Sequence, residues 1–590
     1  MEKQGQNQRF CYIKRIFRPY VEKLLLLMFN EQRDDDGSIS MDRISQLPEA
    51  ILHHILSFLS QNEATQTCLL SKSWRYVWST RPNIEFLEED WLKKNKLRYV
   101  WPPIRPKFLE QENKVAFLSV LDKTLQGYYD QKLRIQEFHV KILKLDSNTI
   151  LLIEKWISIV MVNMGVKTFN LYLISNPWEF FALPSVVFKA ESLQKLYLYG
   201  CKLIQKPLDK VLFKHLQTLH LTRVYIDDEI FHKIISSCPL IEVVGLDRCE
   251  GLRTIKVNKD HNLKEFNFSD VPWYIKDDDC SIEIDVQTLV TIEILGCGHW
   301  YHPHKYLPHL KSLCLINVKL ASWPFDILSG NYLPSLEDLT VCCCSGLKEL
   351  QLLNHSIKHL TIEGLDGPDN KVAIDAPNIV KFKYVGNIPP FIAFATTFSE
   401  WKSDITLQDD VNFGDDDHAL LSWFLKLNKL LEEVSRSKIS LTVVQHCSRN
   451  LHIADTYDGF GKPVVVEHLS LRGYYGSSCF PAFLNCLFRI CRPRNIRLFL
   501  HANILPTQWE RQDMKIAEFF CKNLVIRERE RMDYFWQQDL EEVSLECFDE
   551  KRQEWHHVPV WEGTSLFGCA TALPSKPIIR VRLKWREIKI

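Results

Sequence analysis

Apolar residues recur through the middle of the chain in one short pattern, apolar-x-x-apolar-x-apolar. In each copy the last two apolar residues lie two positions apart, which is the period of a β-strand with one buried side. Since one such strand cannot bury its apolar side alone, the recurrence predicts a stacked array of short strands. Successive copies start 21 to 26 residues apart, at Leu193, Leu216, Ile241, Leu263, Leu289, Leu310, Leu336, Ile357 and Ile379.

The residues between and beside the two strand positions must point to the opposite face, which is expected to be concave. The end with Tyr197 and Tyr199 is the favoured binding surface, because tyrosine combines a large contact area with a hydrogen-bonding tip. A solvated face that binds nothing is the alternative. The candidate binding residues are Lys195, Tyr197, Tyr199, Thr218, His220 and Thr222, and the same face continues through Glu265, Asn267, Ser269, His359, Thr361, Glu363, Lys381 and Lys383.

The pattern weakens on both sides of this array. Looser copies at Ile135 and Val166 place its start near residue 134. Beyond residue 390, we predict that further elements continue and cap the array, because a terminal repeat must shield its last apolar face. A separate C-terminal domain is the alternative. The predicted helices lie near 417–435, 479–491 and 514–522, and the predicted strands at 440–444, 465–471, 496–500, 540–545 and 578–583.

A different period precedes the array. Ile51, Ile55 and Leu59 lie four residues apart, which predicts an amphipathic helix over 48–59 with Pro48 in its first turn. Asn62 and Ser71 can cap two further short helices. Three short helices in about 40 residues make a small core, so this module is expected to lean on a partner or on the rest of the chain.

Composition narrows the class of protein. Of the 590 residues, 46% are hydrophobic, which argues against general disorder. Lysine plus arginine and aspartate plus glutamate both number 73, so no global field favours nucleic acid or an anionic membrane. The 18 cysteines are too sparse for a disulfide-stapled scaffold and indicate a reducing compartment, which we expect to be the cytoplasm, the nucleus or both.

The N-terminal segment superficially resembles a signal peptide, because basic residues precede the apolar run at 24–28. That run is short, begins late and lacks a small-residue cleavage site after it, and it cannot span a bilayer. We predict a short helix or a poorly ordered extension over residues 1–40, with a targeting segment as the alternative.

Catalytic and metal-binding motifs are weak. Cys297, His299, His302 and His304 crowd together, but no second ligand pair follows them, so loop histidines beside a structural cysteine are favoured over a zinc site. The sequence lacks a phosphate-binding glycine loop, a Gly-x-Ser-x-Gly elbow and an HExxH motif. We therefore expect no cofactor and no enzymatic activity, although a convergent site assembled by the fold is a further alternative.

The stretch 42–78 resembles an F-box over about 40 residues, in its plant form. This resemblance implies docking on the Skp-type adaptor of a cullin-based SCF ubiquitin ligase. An ordinary three-helix cap, with the same residues forming a private core, is the alternative. Carried over from the family pattern, the adaptor contacts are Leu47, Pro48, Ile51, Ile55, Leu56, Leu59, Leu70 and Trp74.

The repeat spacing lies in the range of leucine-rich repeats, and the stretch resembles the degenerate repeats of plant F-box proteins. In such repeats the turn after the strand usually carries Asn or Cys, which satisfies backbone groups. The cysteines eight residues after the start of their repeats fit this structural role, namely Cys201, Cys249, Cys297 and Cys344. The segment 540–545 weakly resembles the opening of the FBD region that ends many plant relatives.

These inferences predict an α+β multidomain chain, in which an N-terminal three-helix F-box precedes an α/β leucine-rich-repeat solenoid. The predicted boundaries are an extension at 1–40, the F-box at 41–85, a helical linker at 86–133, leucine-rich repeats at 134–390, and degenerate repeats with a C-terminal cap or FBD-like region at 391–590.

The function that this resemblance implies is that of a substrate receptor. The F-box would bind the adaptor, and through it the cullin, while the repeats bind a target protein for ubiquitination. We expect neither nucleic acid nor membrane as a partner. The rivals are a leucine-rich-repeat scaffold without ligase association, which an adaptor-binding assay would separate, and a small-molecule sensor of the F-box receptor type.

Overall fold

The chain divides into two compact units, residues 1–252 and 253–590. The predicted extension at 1–40 and the predicted helix at 514–522 lie outside the described residues. The computed structural model describes residues 47–57, 59, 64, 67–68, 70–89, 107–174, 180–203, 211–257, 262–270, 280–297, 299–301, 306–320, 328–345, 349–364, 371–387, 389, 391–394, 400–408, 417–444, 461–472, 480–499, 538–549, 554–557 and 578–586.

The first unit combines helices with short strands. Three of the described helices begin with a side-chain cap, and two of the caps are aspartates: Asp146 accepts a hydrogen bond from the Thr149 amide, and Asp227 accepts one from the Ile230 amide, both at 2.8 Å. The helices are α1 (Glu49–Ser57), α2 (Lys72–Ser79), α3 (Lys107–Asp130), α4 (Ser147–Asn163) and α5 (Asp228–Ser236). The strands are β1 (Asn83–Leu87), β2 (Glu137–Ile142), β3 (Thr168–Leu173), β4 (Phe181–Ala182), β5 (Lys195–Tyr199), β6 (Cys201–Lys202), β7 (Thr218–Thr222) and β8 (Val243–Asp247).

Six strands of this unit form one parallel sheet in the order β1, β2, β3, β5, β7, β8. Residues of equal repeat position pair across it, so that apolar side chains form buried rows. The rings of Phe138 and Phe169, for example, stack with centroids 6.0 Å apart. The register therefore buries one face of each strand, while most side chains of the other face are partly exposed.

The sheet begins earlier than the sequence suggested. The repeat pattern placed its start near residue 134, but β1 already pairs in parallel with β2, and Ile84 and Phe86 are buried in it. β1 lies at the predicted junction of F-box and linker, and α3 lies within the predicted helical linker. A single strand of five residues carries too short a pattern to be recognised without its partner.

The second unit is richer in strands. Its helices are α6 (Asp417–Glu433) and α7 (Phe480–Ile490). Its strands are β9 (Thr254–Val257), β10 (Glu265–Ser269), β11 (Ser281–Ile284), β12 (Thr291–Cys297), β13 (His299–Tyr301), β14 (Ser312–Val318), β15 (Asp338–Cys342), β16 (Glu349–Leu353), β17 (His359–Glu363), β18 (Lys371–Asp375), β19 (Lys381–Gly386), β20 (Phe391–Phe394), β21 (Lys402–Gln408), β22 (Lys438–Val444), β23 (Val464–Arg472), β24 (Cys491–Phe499), β25 (Leu540–Asp549), β26 (Glu554–His557) and β27 (Ile578–Trp585).

The main sheet of this unit is parallel from β10 to β24 and then changes direction. The parallel order is β10, β12, β14, β15, β17, β19, β21, β22, β23, β24. β27 then pairs antiparallel with β24, β25 with β27, and β26 with β25. The helices and strands predicted beyond residue 390 are present wherever that part of the chain is described. The strands among them extend the main sheet of the repeats.

The nine predicted repeats have the predicted burial. All three apolar residues of each copy are buried, and none is more than 4% exposed. Several connections between these strands contain a second short strand, and one contains α5. These strands pair as β4 with β6, as β9, β11 and β13, and as β16, β18 and β20.

The turn after each strand has a recurring backbone conformation. Seven residues after the start of seven of the nine repeats, φ is positive, at Gly200, Arg223, Arg248, Gly296, Asn317, Cys343 and Gly364. One residue later, Cys249 and Cys344 donate from Sγ to carbonyls of a preceding repeat, those of Leu221 and Leu315, at 3.5 Å. The predicted structural role of these two cysteines is confirmed, and the side chain of Cys297 lies outside the described residues.

Candidate functional site

The F-box segment contains two fully described helices, α1 and α2. The carbonyl of Pro48 accepts hydrogen bonds from the Ile51 and Leu52 amides, which starts α1. Ser71 has extended backbone and accepts a hydrogen bond from the Trp74 amide at 3.3 Å, so it is the predicted N-cap of α2. Asn62 lies outside the described residues, and the three-helix form of this module stays a prediction.

The two helices enclose a small apolar core. It consists of Leu52, Leu56, Ala64, Trp74 and Val77, with Ile55, Leu59 and Trp78 packed against it. Leu56 is 5% exposed and Trp74 is 2% exposed. These two predicted adaptor contacts are therefore core residues in the free chain, and their effect on a partner would pass through the shape of the module.

Other predicted adaptor contacts point outward. Leu47, Pro48, Ile51 and Leu70 are exposed, and Ile55 and Leu59 are partly buried. Tyr76, which the sequence interpretation did not select, is also exposed. These exposed apolar side chains contribute little to the core of the module. The surface that they form is therefore available to a partner.

The exposed face of the first unit carries the predicted row. Lys195, Tyr197 and Tyr199 alternate with buried Leu196 and Leu198 along β5. On β7, Thr218, His220 and Thr222 alternate in the same way with buried leucines. β5 and β7 pair in register, so the six residues lie side by side as three cross-strand pairs. Their role in binding stays a prediction.

The two tyrosines of β5 join stacks that run across the strands. Tyr199 stacks on Tyr172 of β3 with ring centroids 3.9 Å apart. Lys141 of β2 places its ammonium group 4.6 Å from the centre of the Tyr172 ring, and the Arg223 guanidinium lies 6.0 Å from the centre of the Tyr199 ring. A cation thus lies at each end of the tyrosine pair. The electron-rich faces of the two rings attract the positive charges of Lys141 and Arg223.

Hydrogen bonds polarise this pair. Burial raises the pKa of Tyr172 to about 12, and the bond that its hydroxyl donates to Tyr199 adds to this. Burial also opposes ionisation of Tyr199, but the hydrogen bonds from Arg223 and Tyr172 outweigh it, and its pKa is lowered. The Tyr199 oxygen thus accepts from both Arg223 and Tyr172, and both hydrogen bonds favour its ionised form.

Tyr197 belongs to a second stack. Its ring lies parallel to that of His220, with centroids 5.2 Å apart and planes 8° apart. The His220 ring covers Gly245 of β8, where an added β-carbon would lie 2.1 Å from Nδ1. Burial lowers the pKa of His220 to about 4, so the imidazole is neutral near pH 7 and packs as an aromatic ring.

Sequence reasoning missed the arginines of this face. Arg223 and Arg248 follow β7 and β8 in the left-handed turn position, each with φ of 50°. Arg223 donates to the Tyr199 hydroxyl at 3.4 Å, and Arg248 forms two hydrogen bonds with the Asp247 carboxylate. The available signal was the repeat position itself, where other repeats have glycine.

The described residues offer little for catalysis or metal binding. Burial raises the pKa values of Cys201, Cys238 and Cys344, which keeps these thiols protonated and unreactive. Among the described residues, no group of three or more His, Cys, Asp or Glu side chains is arranged to hold a metal ion. The cluster of Cys297, His299, His302 and His304, where loop histidines were favoured over a zinc site, lies mostly outside those residues. Within the described chain, none of the helices is both long and apolar enough to cross a membrane.

Two family models match the chain. The F-box domain model matches residues 44–86, and a model described as FBD-associated F-box protein At5g56370, LRR repeats, matches residues 153–270. Neither model describes an enzyme. With the helical module and the parallel repeat sheets, they define an F-box domain followed by leucine-rich repeats.

The chain is also similar to Arabidopsis thaliana proteins that are named for an F-box and leucine-rich repeats. The chain is 33% identical to an F-box/LRR-repeat protein, At3g59170, over 36% of this chain and 46% of the relative. It is 32% identical to F-box/LRR-repeat protein 25 over 38% of this chain and 74% of that relative. It is 29% identical to F-box/FBD/LRR-repeat protein At4g00160 over 38% and 48%. The match spans about half the length of most of these relatives, and the chain belongs to the plant F-box/LRR-repeat family.

Proposed function

We propose that this protein is the substrate-recognition subunit of an SCF-type ubiquitin ligase. The observation that carries the proposal is the F-box at residues 44–86, whose residues Leu47, Ile51 and Leu70 remain exposed beside a separate apolar core. Exposed apolar side chains on a small module suit a partner that covers them. The partner would be a Skp-type adaptor, and through it a cullin.

The F-box residues divide into two roles under this proposal. Leu47, Pro48, Ile51 and Leu70 would contact the adaptor directly. Leu56 and Trp74 would hold α1 and α2 at the angle that presents those contacts. Ile55 and Leu59 would take part in both roles, because each is partly exposed and also packs on the core.

The repeats would hold the target protein. The candidate surface is the exposed face of β5 and β7 with the neighbouring stack, since rigid aromatic side chains beside arginine are typical of interface anchors. The chain itself would make and break no bond. It would raise the effective concentration of the target beside the ubiquitin-carrying enzyme held elsewhere on the ligase. We propose the cytoplasm, the nucleus or both as its location.

The proposal is tested by binding of a purified Skp-type adaptor to the full chain, measured by isothermal titration calorimetry. Leu47→Ala combined with Ile51→Ala should weaken this binding by at least about 2 kcal/mol, because both side chains would be desolvated anchors. A matched control is Leu240→Ala, since Leu240 and Ile51 are each 46% exposed and only Ile51 lies in the F-box.

Folding must be measured on the same samples. Leu47→Ala with Ile51→Ala should leave the melting temperature nearly unchanged, whereas Trp74→Ala should destabilise the F-box by roughly 3–5 kcal/mol through loss of core packing. Equal adaptor affinity for the wild type and the Leu47/Ile51 variant, or no adaptor binding by the folded wild type, would sink the proposal.

A further inference from the structure

Charge is segregated along the exposed face of the second unit's main sheet. On β10, β12, β14, β15 and β17, the outward residues include acidic side chains and neither lysine nor arginine. The chain as a whole has equal numbers of acidic and basic residues. The acidic residues of this half are Glu265, Glu293, Asp338 and Glu363.

The next strands reverse the sign on the same face. On β19, β21 and β22, the outward positions carry four lysines and a single carboxylate, that of Asp404. Four basic residues against one acidic residue give the outward side of these three strands a formal charge of +3. The basic residues are Lys381, Lys383, Lys402 and Lys438.

Three of these lysines form a row at one register position. Lys381 pairs with Lys402, and Lys402 pairs with Lys438, on successive parallel strands. All three are exposed. Neighbouring strands lie about 4.8 Å apart, and like charges at facing positions destabilise a sheet. The row is thus a local cost to folding, and such costs are typical of functional surfaces.

Counter-charges within the protein are few. Glu400 forms an ion pair with Lys438 at 2.9 Å, on a fully solvated surface where such pairs contribute little. The charge of Glu467 on β23 also favours the Lys438 ammonium group. Among the residues that the structure describes, Lys381, Lys383 and Lys402 have no ion-pair partner. Asp404 lies beside Lys383 in the register but forms no ion pair with it. An external anion would relieve the repulsion that the protein leaves uncompensated.

We propose that the lysine row, defined as Lys381, Lys402 and Lys438, binds an acidic segment of the target protein. This inference rests on the proposed receptor function and adds the chemical class of the target. The row spans two strand spacings, about 10 Å, which equals about three residues of an extended peptide. Lysine side chains are long and flexible enough to reach carboxylates on such a segment.

A peptide fits this surface better than a nucleic acid does. Proteins that hold single-stranded nucleic acid combine basic grooves with aromatic side chains on which bases stack. The outward residues of β19 to β22 are lysine, aspartate, serine, threonine, glutamine and valine, with no aromatic ring among them. Electrostatic contacts without stacking suit flexible carboxylates.

The test uses the full chain and a fluorescein-labelled peptide of alternating glycine and glutamate, with binding followed by fluorescence anisotropy. Wild type should bind this peptide, not the glutamine version, and binding should weaken as salt rises above about 0.15 M. Lys381→Gln, Lys402→Gln and Lys438→Gln together should weaken binding by about tenfold or more. The melting temperature of this variant should be equal or higher, since repulsion is removed.

A matched control changes three other exposed lysines of the same unit, with Lys311→Gln, Lys358→Gln and Lys371→Gln. It removes the same charge outside the row and should bind the peptide within about twofold of wild type, a difference well below the tenfold effect expected for the row. Oligodeoxythymidine of matched length is the nucleic-acid probe. Equal peptide affinity for wild type and the row variant, tighter binding of the oligonucleotide, or no binding of either probe would overturn the inference.

Two further measurements separate the outcomes. Adaptor binding is measured on the same samples: a chain that binds the adaptor but not the acidic peptide refutes this inference alone, and a chain that binds the peptide but not the adaptor refutes the receptor function. Sedimentation velocity addresses a second copy as occupant. Self-association of wild type that disappears in the row variant would assign the row to the acidic half of another chain and overturn the proposal.

Discussion

Arg223 and Arg248 each have a backbone conformation that is unfavourable for a residue with a β-carbon. Both have positive φ, which costs a residue with a β-carbon about 1 kcal/mol or more. Glycine occupies the same repeat position at Gly200, where an added β-carbon would lie 2.1 Å from the Leu173 carbonyl oxygen. The arginines accept this strain while placing cations beside Tyr199, which favours a surface role for their side chains.

We predict that Arg223→Gly is more stable than Arg223→Ala by about 1 kcal/mol, because both remove the guanidinium and only glycine relieves the backbone. Urea denaturation of the two variants measures the difference. Lys195→Gly and Lys195→Ala provide a control pair in the extended strand β5, where alanine should be the more stable. A glycine variant at 223 no more stable than the alanine variant would contradict the strain argument.

At the scale of elements, the exposed face is organised by contacts between neighbouring strands. β5, β7 and β8 bring Tyr197, His220 and Gly245 to one register row. The His220 ring fills the space above the glycine and stacks on the tyrosine. Because this packing excludes water, the neutral imidazole is favoured, and burial lowers the pKa of His220 to about 4.

This packing predicts a pH dependence of stability. The unfolded chain binds a proton at His220 as the pH falls below about 6.5, whereas the folded chain stays neutral until about pH 4. Stability is therefore complete above pH 6.5 and is lost as the pH falls towards 4. The loss linked to His220 should be about 1–2 kcal/mol between pH 7 and pH 5. Urea unfolding at both pH values measures it.

His220→Phe is the control for this prediction, because it keeps a ring against Tyr197 and removes the titrating group. Between pH 7 and pH 5, the free energy of unfolding of this variant should fall by about 1–2 kcal/mol less than that of the wild type. An identical pH dependence in the two proteins would show that other groups account for the effect.

At the scale of the whole molecule, the end of the second unit is closed by a change of strand direction. β27 pairs antiparallel with β24, and its Val581 and Leu583 are buried. Trp585 packs edge-on against Phe488 of α7 and donates from Nε1 to the Pro493 carbonyl at 2.8 Å. β25 and β26 extend the antiparallel part, and Glu546 pairs with Arg580. These strands cover an edge that would otherwise be open.

We predict that truncation after residue 537 destabilises the second unit and causes aggregation, because it exposes the edge of β24 and the apolar side chains beneath β27. Size-exclusion chromatography and thermal unfolding measure the effect. Truncation after residue 586 is the control, since it keeps β25, β26 and β27, and it should behave as wild type. A monomeric chain of unchanged stability ending at 537 would show that the antiparallel strands are not a cap.

Much of the fold was predictable because each repeat obeys the same local rule. A strand with one buried side has a two-residue period wherever it occurs, and the nine copies could be read from the sequence in register. Ser71 was predictable because serine is a preferred helix cap, and the turn cysteines were predictable from their position in the repeat. The isolated strand β1 and the second short strands were missed, because they lack a repeated pattern of their own.

The sequence alone determined the repeat strands, their buried side, the helical periodicity of the F-box segment and the resemblance to F-box and leucine-rich-repeat proteins. Only the tertiary structure decided that Leu56 and Trp74 lie in the core while Leu47 and Ile51 stay exposed, since all four are apolar residues that the F-box pattern treats alike. It also decided which side chains meet on the exposed face. The tyrosine stack and the lysine row join residues from strands more than 20 positions apart, and their contact depends on register, which no local pattern specifies.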